Sequence, residues 1–245
     1  MKLRVFADAH EVSASLAEEV VGAVRRQRDL VLGLPTGRTP VRLYRELVRH
    51  AVAGAADFAR VRTFNLDEFL GVAPGDRSSY RQYMERHLFV PVGLPAGQVG
   101  FLDGSAPDPR RECERYERSL ADAGGIDLQI LGIGANGHIG FNEPGAWLVV
   151  PTHVVALRPE TRQANAALFG GDPGRVPAHA LSMGVGTILQ ARRIVMLATG
   201  REKARVVEQM VRGPMTTRLP ASLLQLHPSV EVFLDRAAAS RLGAI

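Results

Sequence analysis

Residues 126–145 of the 245-residue chain read IDLQILGIGANGHIGFNEPG. The first part of this stretch, Leu128–Leu131, is an apolar run of strand length, and glycines follow it at once. A lone histidine, His138, stands in the glycine-rich part, with a carboxylate five residues later. In α/β proteins, ligands bind beyond the carboxyl ends of parallel strands, where such turns occur. The stretch therefore predicts a buried strand that ends in a functional turn.

The rest of the chain repeats this order of a short apolar run followed by an amphipathic segment, which predicts a parallel sheet with helices on both faces. We expect strands at Lys2–Phe6, Leu30–Leu34, Arg62–Asn65, Leu128–Leu131, Val154–Leu157, Ile194–Ala198 and Val230–Leu234. We expect helices at Ser13–Arg28, Pro40–His50, Ser79–Leu88, Asp108–Ala123, Thr161–Phe169, Met183–Ala191 and Glu202–Val211. The predicted protein is a single α/β domain over residues 1–245, Rossmann-like, with a mostly parallel sheet.

Composition restricts the classes of function. Hydrophobic residues make up 46% of the chain and charged residues 22%, which is ordinary for a globular protein. The opening residues, MKLRVFADAHEV, build no apolar segment, so we expect no signal peptide, no membrane partner and a cytoplasmic location. With Cys113 as the only cysteine and no zinc-like spacing, we expect neither an internal disulfide nor a metal. The net charge of +5 comes from scattered arginines, so we expect no nucleic-acid partner but a mild attraction for anionic substrates.

The stretch LPTGRTP, Leu34–Pro40, follows a predicted strand and opens a predicted helix. Gly37 allows backbone amides to turn toward an anion, and Thr36 and Thr39 add hydroxyl donors. Arg38 adds a guanidinium that can bind a phosphate through two hydrogen bonds. The pattern favours phosphate binding, although strand–turn–helix junctions also use glycine and threonine for structural reasons alone.

Two adjacent carboxylates, Asp67 and Glu68, stand at the end of an apolar strand in FNLDEF, residues 64–69. One of them can face a cleft while the other faces away. A desolvated carboxylate has a raised pKa, which suits a general base. Helix capping explains an aspartate at this place equally well.

Glycines on both sides of His138 leave its ring uncovered, and a core histidine needs no such arrangement. Asn136 lies two residues before it and Glu143 five residues after it. The pattern therefore favours a functional histidine. Gly132–Gly134 superficially begins a dinucleotide fingerprint, but a polar turn stands where the fingerprint needs a helix-opening glycine, so we expect no redox cofactor.

Taken in order, these motifs resemble the glucosamine-6-phosphate deaminase family over residues 1–235. The resemblance rests on LPTGRTP (34–40), FNLDEF (64–69), SYRQYMERHLF (79–89), GIGANGHIGFNEPG (132–145), TRQAN (161–165), MGVGTIL (183–189) and LPASLLQLHP (219–228). The related 6-phosphogluconolactonases share the fold and the glycine-histidine turn, but FNEP at 141–144 favours the deaminase branch.

The resemblance implies that glucosamine 6-phosphate and water give fructose 6-phosphate and ammonia by acid/base catalysis, with no cofactor. By resemblance, Asp67 is the base that moves a proton between sugar C2 and C1, and His138 opens the sugar ring. Glu143 and Asn136 would orient and tune His138. The residues expected to bind the substrate and its phosphate are Thr36, Gly37, Arg38, Thr39, Gly137 and Lys203.

The chain departs from the family's pattern in the segments that hold the phosphate. Most members have glycine or serine where this chain has Arg38, and arginine where it has Ala167. Either Arg38 replaces the missing guanidinium, or the pocket is remodelled for a different amino-sugar phosphate. His153 and Val155 stand where allosterically activated members have basic residues, so we expect no activation by an amino-sugar phosphate there.

Two other functions stay open at this point. A lactonase acting on 6-phosphogluconolactone would use His138 for hydrolysis and would need no chemistry at Asp67. A non-catalytic sugar-phosphate sensor would keep the phosphate-binding turn and lose turnover, but the joint presence of Asp67, His138 and Glu143 argues against it. The sequence is compatible with a monomer and with a homo-oligomer.

Overall fold

Residues 1–243, which the computed structural model describes, form ten strands and eight α-helices. The strands are β1 (Lys2–Phe6), β2 (Val31–Leu34), β3 (Arg62–Asn65), β4 (Asp67–Phe69), β5 (Val99–Gly100), β6 (Leu128–Gly132), β7 (His153–Ala156), β8 (His179–Ser182), β9 (Arg193–Ala198) and β10 (Val230–Asp235). The α-helices are α1 (Ala9–Arg26), α2 (Val41–Val52), α3 (Tyr80–Met84), α4 (Pro109–Asp122), α5 (Pro159–Asn165), α6 (Val185–Leu189), α7 (Ala204–Arg212) and α8 (Arg236–Ala239). None of the helices in this part of the chain is long and apolar enough to cross a bilayer.

Seven strands form one parallel sheet in the order β1-β10-β9-β6-β2-β3-β5. Successive side chains of a strand point to opposite faces, so each face needs its own apolar cover. On one face Val195 and Leu197 belong to the core that includes buried residues of α1 and α2. On the other face Ile194 and Met196 belong to the core that includes α4 and α7. The predicted α/β fold, with a mostly parallel sheet and helices on both faces, is confirmed.

A second sheet, β4-β8-β7, is antiparallel and was not predicted. The sequence pattern gave no strand for β4, β5 or β8, and it counted β7 with the parallel strands. β4 has three residues, two of them carboxylates, so it shows none of the apolar alternation that marks a strand. Its residues are nevertheless buried, because Asp67 pairs with Ser182 and Phe69 pairs with Ala180. This small sheet carries Asp67 into the interior.

Four helices differ clearly from their predicted extents. The first begins at Ala9 rather than Ser13, because the Asp8 side chain caps it by accepting hydrogen bonds from two amides of the first turn. The helix predicted at Ser79–Leu88 is α3 followed by a π-helical turn at Glu85–Phe89. The helix predicted at Thr161–Phe169 is α5, which begins at Pro159 and ends at Asn165, followed by a 3-10 turn at Ala166–Phe169. The helix predicted at Met183–Ala191 is only α6, five residues long.

Glu117 of α4 joins three segments that are distant in sequence. Its Oε1 accepts hydrogen bonds from the Thr152 amide and the Thr187 hydroxyl, both at 2.7 Å. The Thr152 hydroxyl donates to the same oxygen. One carboxylate therefore ties the chain before β7 and helix α6 to α4. Charge-assisted hydrogen bonds of this kind are stronger than neutral ones.

We expect Glu117→Ala to lower the free energy of unfolding by about 2–4 kcal/mol, because it leaves two hydroxyls and one amide without their acceptor. Urea denaturation followed by circular dichroism measures this. Glu114→Ala is the matched control. Glu114 lies on the same helix and is exposed, and its one ion pair among the described residues is with Arg118 at 3.8 Å, so the change should be below about 0.5 kcal/mol. Equal losses in the two variants would contradict the anchoring role of Glu117.

Candidate active site

The carboxyl ends of four neighbouring strands, β9, β6, β2 and β3, deliver the predicted site residues to one edge of the sheet. Contacts between their loops show that they converge. Thr36, after β2, lies beside Asp67, which follows β3. A Cβ added at Gly140, which follows β6, would lie 3.7 Å from Asp67 Oδ2. Lys203, after β9, donates a hydrogen bond from Nζ to the carbonyl of Ile133 at 2.8 Å.

Asp67 is buried, with 6% of its surface exposed. Its Oδ1 has no hydrogen-bond partner within residues 1–243. Burial raises the pKa of Asp67 to about 8, the charge of Glu68 adds to that rise, and the Thr36 side chain acts in the opposite direction. A carboxylate with such a pKa can hold and return a proton near neutral pH, which is what a general base requires.

Glu68 faces away from Asp67 and has a different environment. Its carboxylate accepts hydrogen bonds from the amides of Phe69 (2.9 Å), Tyr80 (3.0 Å) and Arg81 (3.0 Å). Burial raises its pKa to about 7 against the opposing effect of these amides. Glu68 therefore binds the start of α3. The helix-capping alternative applies to this residue and not to Asp67.

The turn after β6 holds His138, Asn136 and Glu143 together. The Asn136 side chain accepts a hydrogen bond from the His138 amide (3.1 Å) and donates one to Glu143 Oε2 (2.9 Å). Glu143 Oε2 lies 3.6 Å from His138 Nδ1, which is buried and has no hydrogen-bond partner among the described residues. The imidazole lies over Gly134, where a Cβ would come within 2.4 Å of Nε2. Only glycine leaves room for the ring at that position.

Glu143 is fixed as an anion by the groups around it. Burial opposes its ionisation, but His138, the Thr161 hydroxyl and the Asn136 amide outweigh burial and lower the pKa of Glu143 to about 2. The Arg158 amide also donates to its Oε1. The carboxylate thus stays negative at neutral pH and lies beside the imidazole.

Gly137 shapes this turn. Its amide donates to the Gly134 carbonyl, and its own carbonyl accepts from the Ala221 amide, both at 3.0 Å. With φ at +89° it adopts a conformation that favours glycine. A Cβ there would lie 2.1 Å from Leu219 Cδ1. Its amide is therefore already used within the turn, and the residue presents no side chain to a substrate.

The turn between β2 and α2, residues 36–39, presents unused donors. The amides of these four residues donate no hydrogen bond within the described chain, and no side chain caps the start of α2. Gly37 has φ at +105°, which permits the turn. Thr36 and Thr39 are half-buried and Arg38 is exposed. Free amides at the start of a helix form an anion-binding arrangement.

Arg38 is near enough to Lys203 for its charge to affect the Lys203 amine. Burial lowers the pKa of Lys203 below its ordinary value. The negative charge of Glu202 raises this pKa, and the positive charge of Arg38 lowers it further. Positive charge from these two residues, Arg38 and Lys203, suits a negatively charged ligand group. Ala167 lies exposed in the helical turn after α5 and supplies no charge.

Several residues around the site were not singled out from the sequence. The Tyr80 hydroxyl donates to Asn165 at 2.7 Å, and its ring stacks on Phe141 with centroids 5.8 Å apart. Thr161 donates to Glu143. Tyr44 and Tyr83 donate to carbonyls of the 35–37 backbone. These residues lie in the stretches that carry the family resemblance or beside them, but their partners are remote in sequence and only the fold identifies them.

Comparison with known proteins agrees with this geometry. The family model of glucosamine-6-phosphate isomerases and 6-phosphogluconolactonases matches residues 7–233. Glucosamine-6-phosphate deaminase 2 of Bacillus subtilis is 47% identical over 233 residues, which are 95% of this chain and 92% of the relative. The glucosamine-6-phosphate deaminase of Rhodopirellula baltica is 48% identical over 242 residues, which are 99% of this chain and 96% of the relative.

Two solved structures are informative. A monomeric glucosamine-6-phosphate deaminase superposes with a TM-score of 0.95 at 40% identity, over 98% of this chain and 100% of the other. A 6-phosphogluconolactonase from Trypanosoma brucei superposes with a TM-score of 0.79 at 23% identity, over 99% of this chain and 98% of the other, and shares the fold alone. The chain belongs to the family of glucosamine-6-phosphate isomerases and 6-phosphogluconolactonases.

Proposed function

We propose that this protein is a glucosamine-6-phosphate deaminase that converts its substrate and water into fructose 6-phosphate and ammonia. The observation that carries the proposal is the meeting of three groups at one edge of the sheet. They are the desolvated Asp67 carboxylate, the His138–Glu143 pair and the turn of free amides at 36–39. The names of the relatives with 47% and 48% identity support the same activity.

Ring opening is the first step and falls to His138. The hydroxyl at C1 must lose a proton and the ring oxygen must gain one, and a neutral imidazole can accept the first and donate the second. Glu143, ionised because its pKa is about 2, stabilises the imidazolium that forms between these transfers. Asn136 holds His138 and Glu143 in a fixed relative position, because its side chain accepts a hydrogen bond from the His138 amide and donates one to the Glu143 carboxylate.

Proton transfer along the open chain falls to Asp67. Its carboxylate removes the proton at C2 while the aldehyde oxygen gains a proton from water, which gives an enolamine. It then returns its proton to C1, which gives an iminium at C2, and the extra proton is released when water adds. Water then adds to C2, and the resulting carbinolamine loses ammonia to leave the ketone. The C–N bond is therefore cleaved hydrolytically after an isomerisation. Acid/base groups suffice for each of these steps.

Phosphate binding falls to the turn at 36–39 together with Lys203. The free amides and the hydroxyls of Thr36 and Thr39 supply neutral donors, and Arg38 and Lys203 supply the charge. In this proposal Arg38 takes the place of the guanidinium that Ala167 cannot provide. A pocket remodelled for another amino-sugar phosphate is the alternative that the Arg38 variant tests.

The parent protein should release ammonia from glucosamine 6-phosphate. Asp67→Asn should lower kcat by about 10²-fold or more, because asparagine keeps the shape of the side chain and removes the proton acceptor. In the parent, kcat/KM should rise with pH until about 8, since Asp67 acts only when ionised and its pKa is about 8. The variant should lack this rise. A coupled ammonia assay, run beside a lactonase assay on 6-phosphogluconolactone, measures these rates.

Stability provides the control for this variant. Because the folded-state pKa of Asp67 lies above the ordinary value of 3.8, folded Asp67 binds more protons than unfolded Asp67 between these pH values, and its contribution to stability falls as pH rises. Asp67→Asn should therefore be at least as stable as the parent above pH 7. Near-parental turnover in a folded variant would exclude Asp67 as the base. Lactonase activity without ammonia release would exclude the deaminase.

His138→Gln should slow turnover of cyclic glucosamine 6-phosphate far more than turnover of an analogue that cannot close its ring, because ring opening is the work assigned to the imidazole. The ratio of kcat/KM values for the two substrates is the measurement. Asn136→Ala is a useful comparison, since it removes only the orienting amide and should give a smaller loss of the same kind. Equal losses on both substrates would assign His138 to another step.

Arg38→Gly should raise KM for glucosamine 6-phosphate by roughly 10- to 150-fold with a smaller effect on kcat, because a charge-assisted hydrogen bond to phosphate is lost from ground state and transition state alike. Steady-state kinetics measures the split. Adding Ala167→Arg to this variant should recover much of the affinity. Parental KM in Arg38→Gly would favour the remodelled pocket, and other anionic amino sugars would then be screened.

A further inference from the structure

Two tyrosine side chains donate hydrogen bonds to backbone carbonyls of the turn after β2. The Tyr44 hydroxyl donates to the Pro35 carbonyl, and the Tyr83 hydroxyl donates to the Gly37 carbonyl at 2.6 Å. The two rings pack edge to face with centroids 6.5 Å apart. Burial raises the pKa of the Tyr83 phenol above its ordinary value, so the hydroxyl keeps its proton and remains a donor.

These hydrogen bonds fix the direction of the neighbouring amides. In a trans peptide the carbonyl and the following N–H point to opposite sides, and the chain has no cis peptide within its described residues. With the Pro35 and Gly37 carbonyls bound to the tyrosines, the N–H groups of Thr36 and Arg38 must point away from them. Carbonyl oxygens that turned the other way would repel an anion, so the tyrosines remove that repulsion as well.

Tyr83 also joins the turn to the segment that carries the base. It lies on α3, whose first amides are bound by Glu68, the neighbour of Asp67. Gly37 itself gives the turn little restraint, because glycine has the widest backbone freedom and a Cβ built there would contact nothing within 4 Å apart from its chain neighbours. Among the described residues, the side chain that hydrogen-bonds the Gly37 carbonyl is that of Tyr83.

We propose that Tyr83 is a positioning residue for phosphate, which acts through the Gly37 carbonyl to hold the Arg38 amide and side chain toward the ligand. This inference rests on the proposed sugar-phosphate site and deepens it. Tyr83 touches neither the reacting carbons nor the phosphate. Its removal should weaken binding of every phosphate-bearing ligand and leave the proton-transfer steps nearly unchanged.

Tyr83→Phe tests the inference because it removes only the hydroxyl. KM for glucosamine 6-phosphate should rise about 3- to 10-fold with kcat within about twofold of the parent, on the scale of one neutral hydrogen bond. The dissociation constant for inorganic phosphate, measured by calorimetry without turnover, should rise by the same factor. Gly37→Ala should reproduce both effects from the backbone side, since φ at +105° is strained for alanine while its Cβ meets no atom.

Tyr116→Phe is the matched control. Tyr116 is equally a buried tyrosine whose hydroxyl donates to a backbone carbonyl, that of Asn65, on another segment. It should lower the melting temperature as Tyr83→Phe does and leave phosphate affinity unchanged. Parental phosphate affinity in Tyr83→Phe, or an equal loss in Tyr116→Phe, would overturn the inference. A parent that binds phosphate but releases no ammonia would contradict the proposed function and leave the role of Tyr83 supported by the calorimetry.

Discussion

Backbone pairing of β6 with β2 on one side and β9 on the other is the constraint on which the rest of the structure depends. The pairings are parallel and continue to β3, so four carboxyl ends lie at one edge. Each end carries one part of the site: a turn of free amides, Asp67, His138 and Lys203. A slip by one residue would turn every side chain of a strand to the opposite face. The apolar cores on both faces prevent such a slip.

Two adjacent buried carboxylates, Asp67 and Glu68, lie in different environments. Glu68 accepts three amide hydrogen bonds and binds the start of α3, whereas Asp67 Oδ1 has no partner in residues 1–243. An incompletely bonded buried carboxylate destabilises the folded state when ionised, and the same environment gives it a pKa suited to proton transfer. The antiparallel β4-β8-β7 sheet and the aromatic contacts of Phe69 hold it there.

Local patterns predicted the strands with continuous apolar runs and most of the long helices, because burial on a sheet or helix face leaves a period in the sequence. They did not predict β4, because its two carboxylates are not residue types expected in a buried strand. They also misplaced the start of α1, which is set by the Asp8 cap. For the site, motif residues such as Asp67 and His138 could be named from sequence. Tyr83 and Thr161 could not, because each acts by a hydrogen bond to a segment 18 or more residues away.

The α/β class, the family resemblance and the order of the motifs along the chain can be read from residue type and spacing alone. Only the packed structure gives Asp67 and Glu68 their different environments, leaves the amides of the 36–39 turn without acceptors among the described residues, and places Arg38 near enough to Lys203 to lower its pKa. Those properties depend on desolvation and on the direction of peptide planes. Both are set only when distant segments pack together and exclude water.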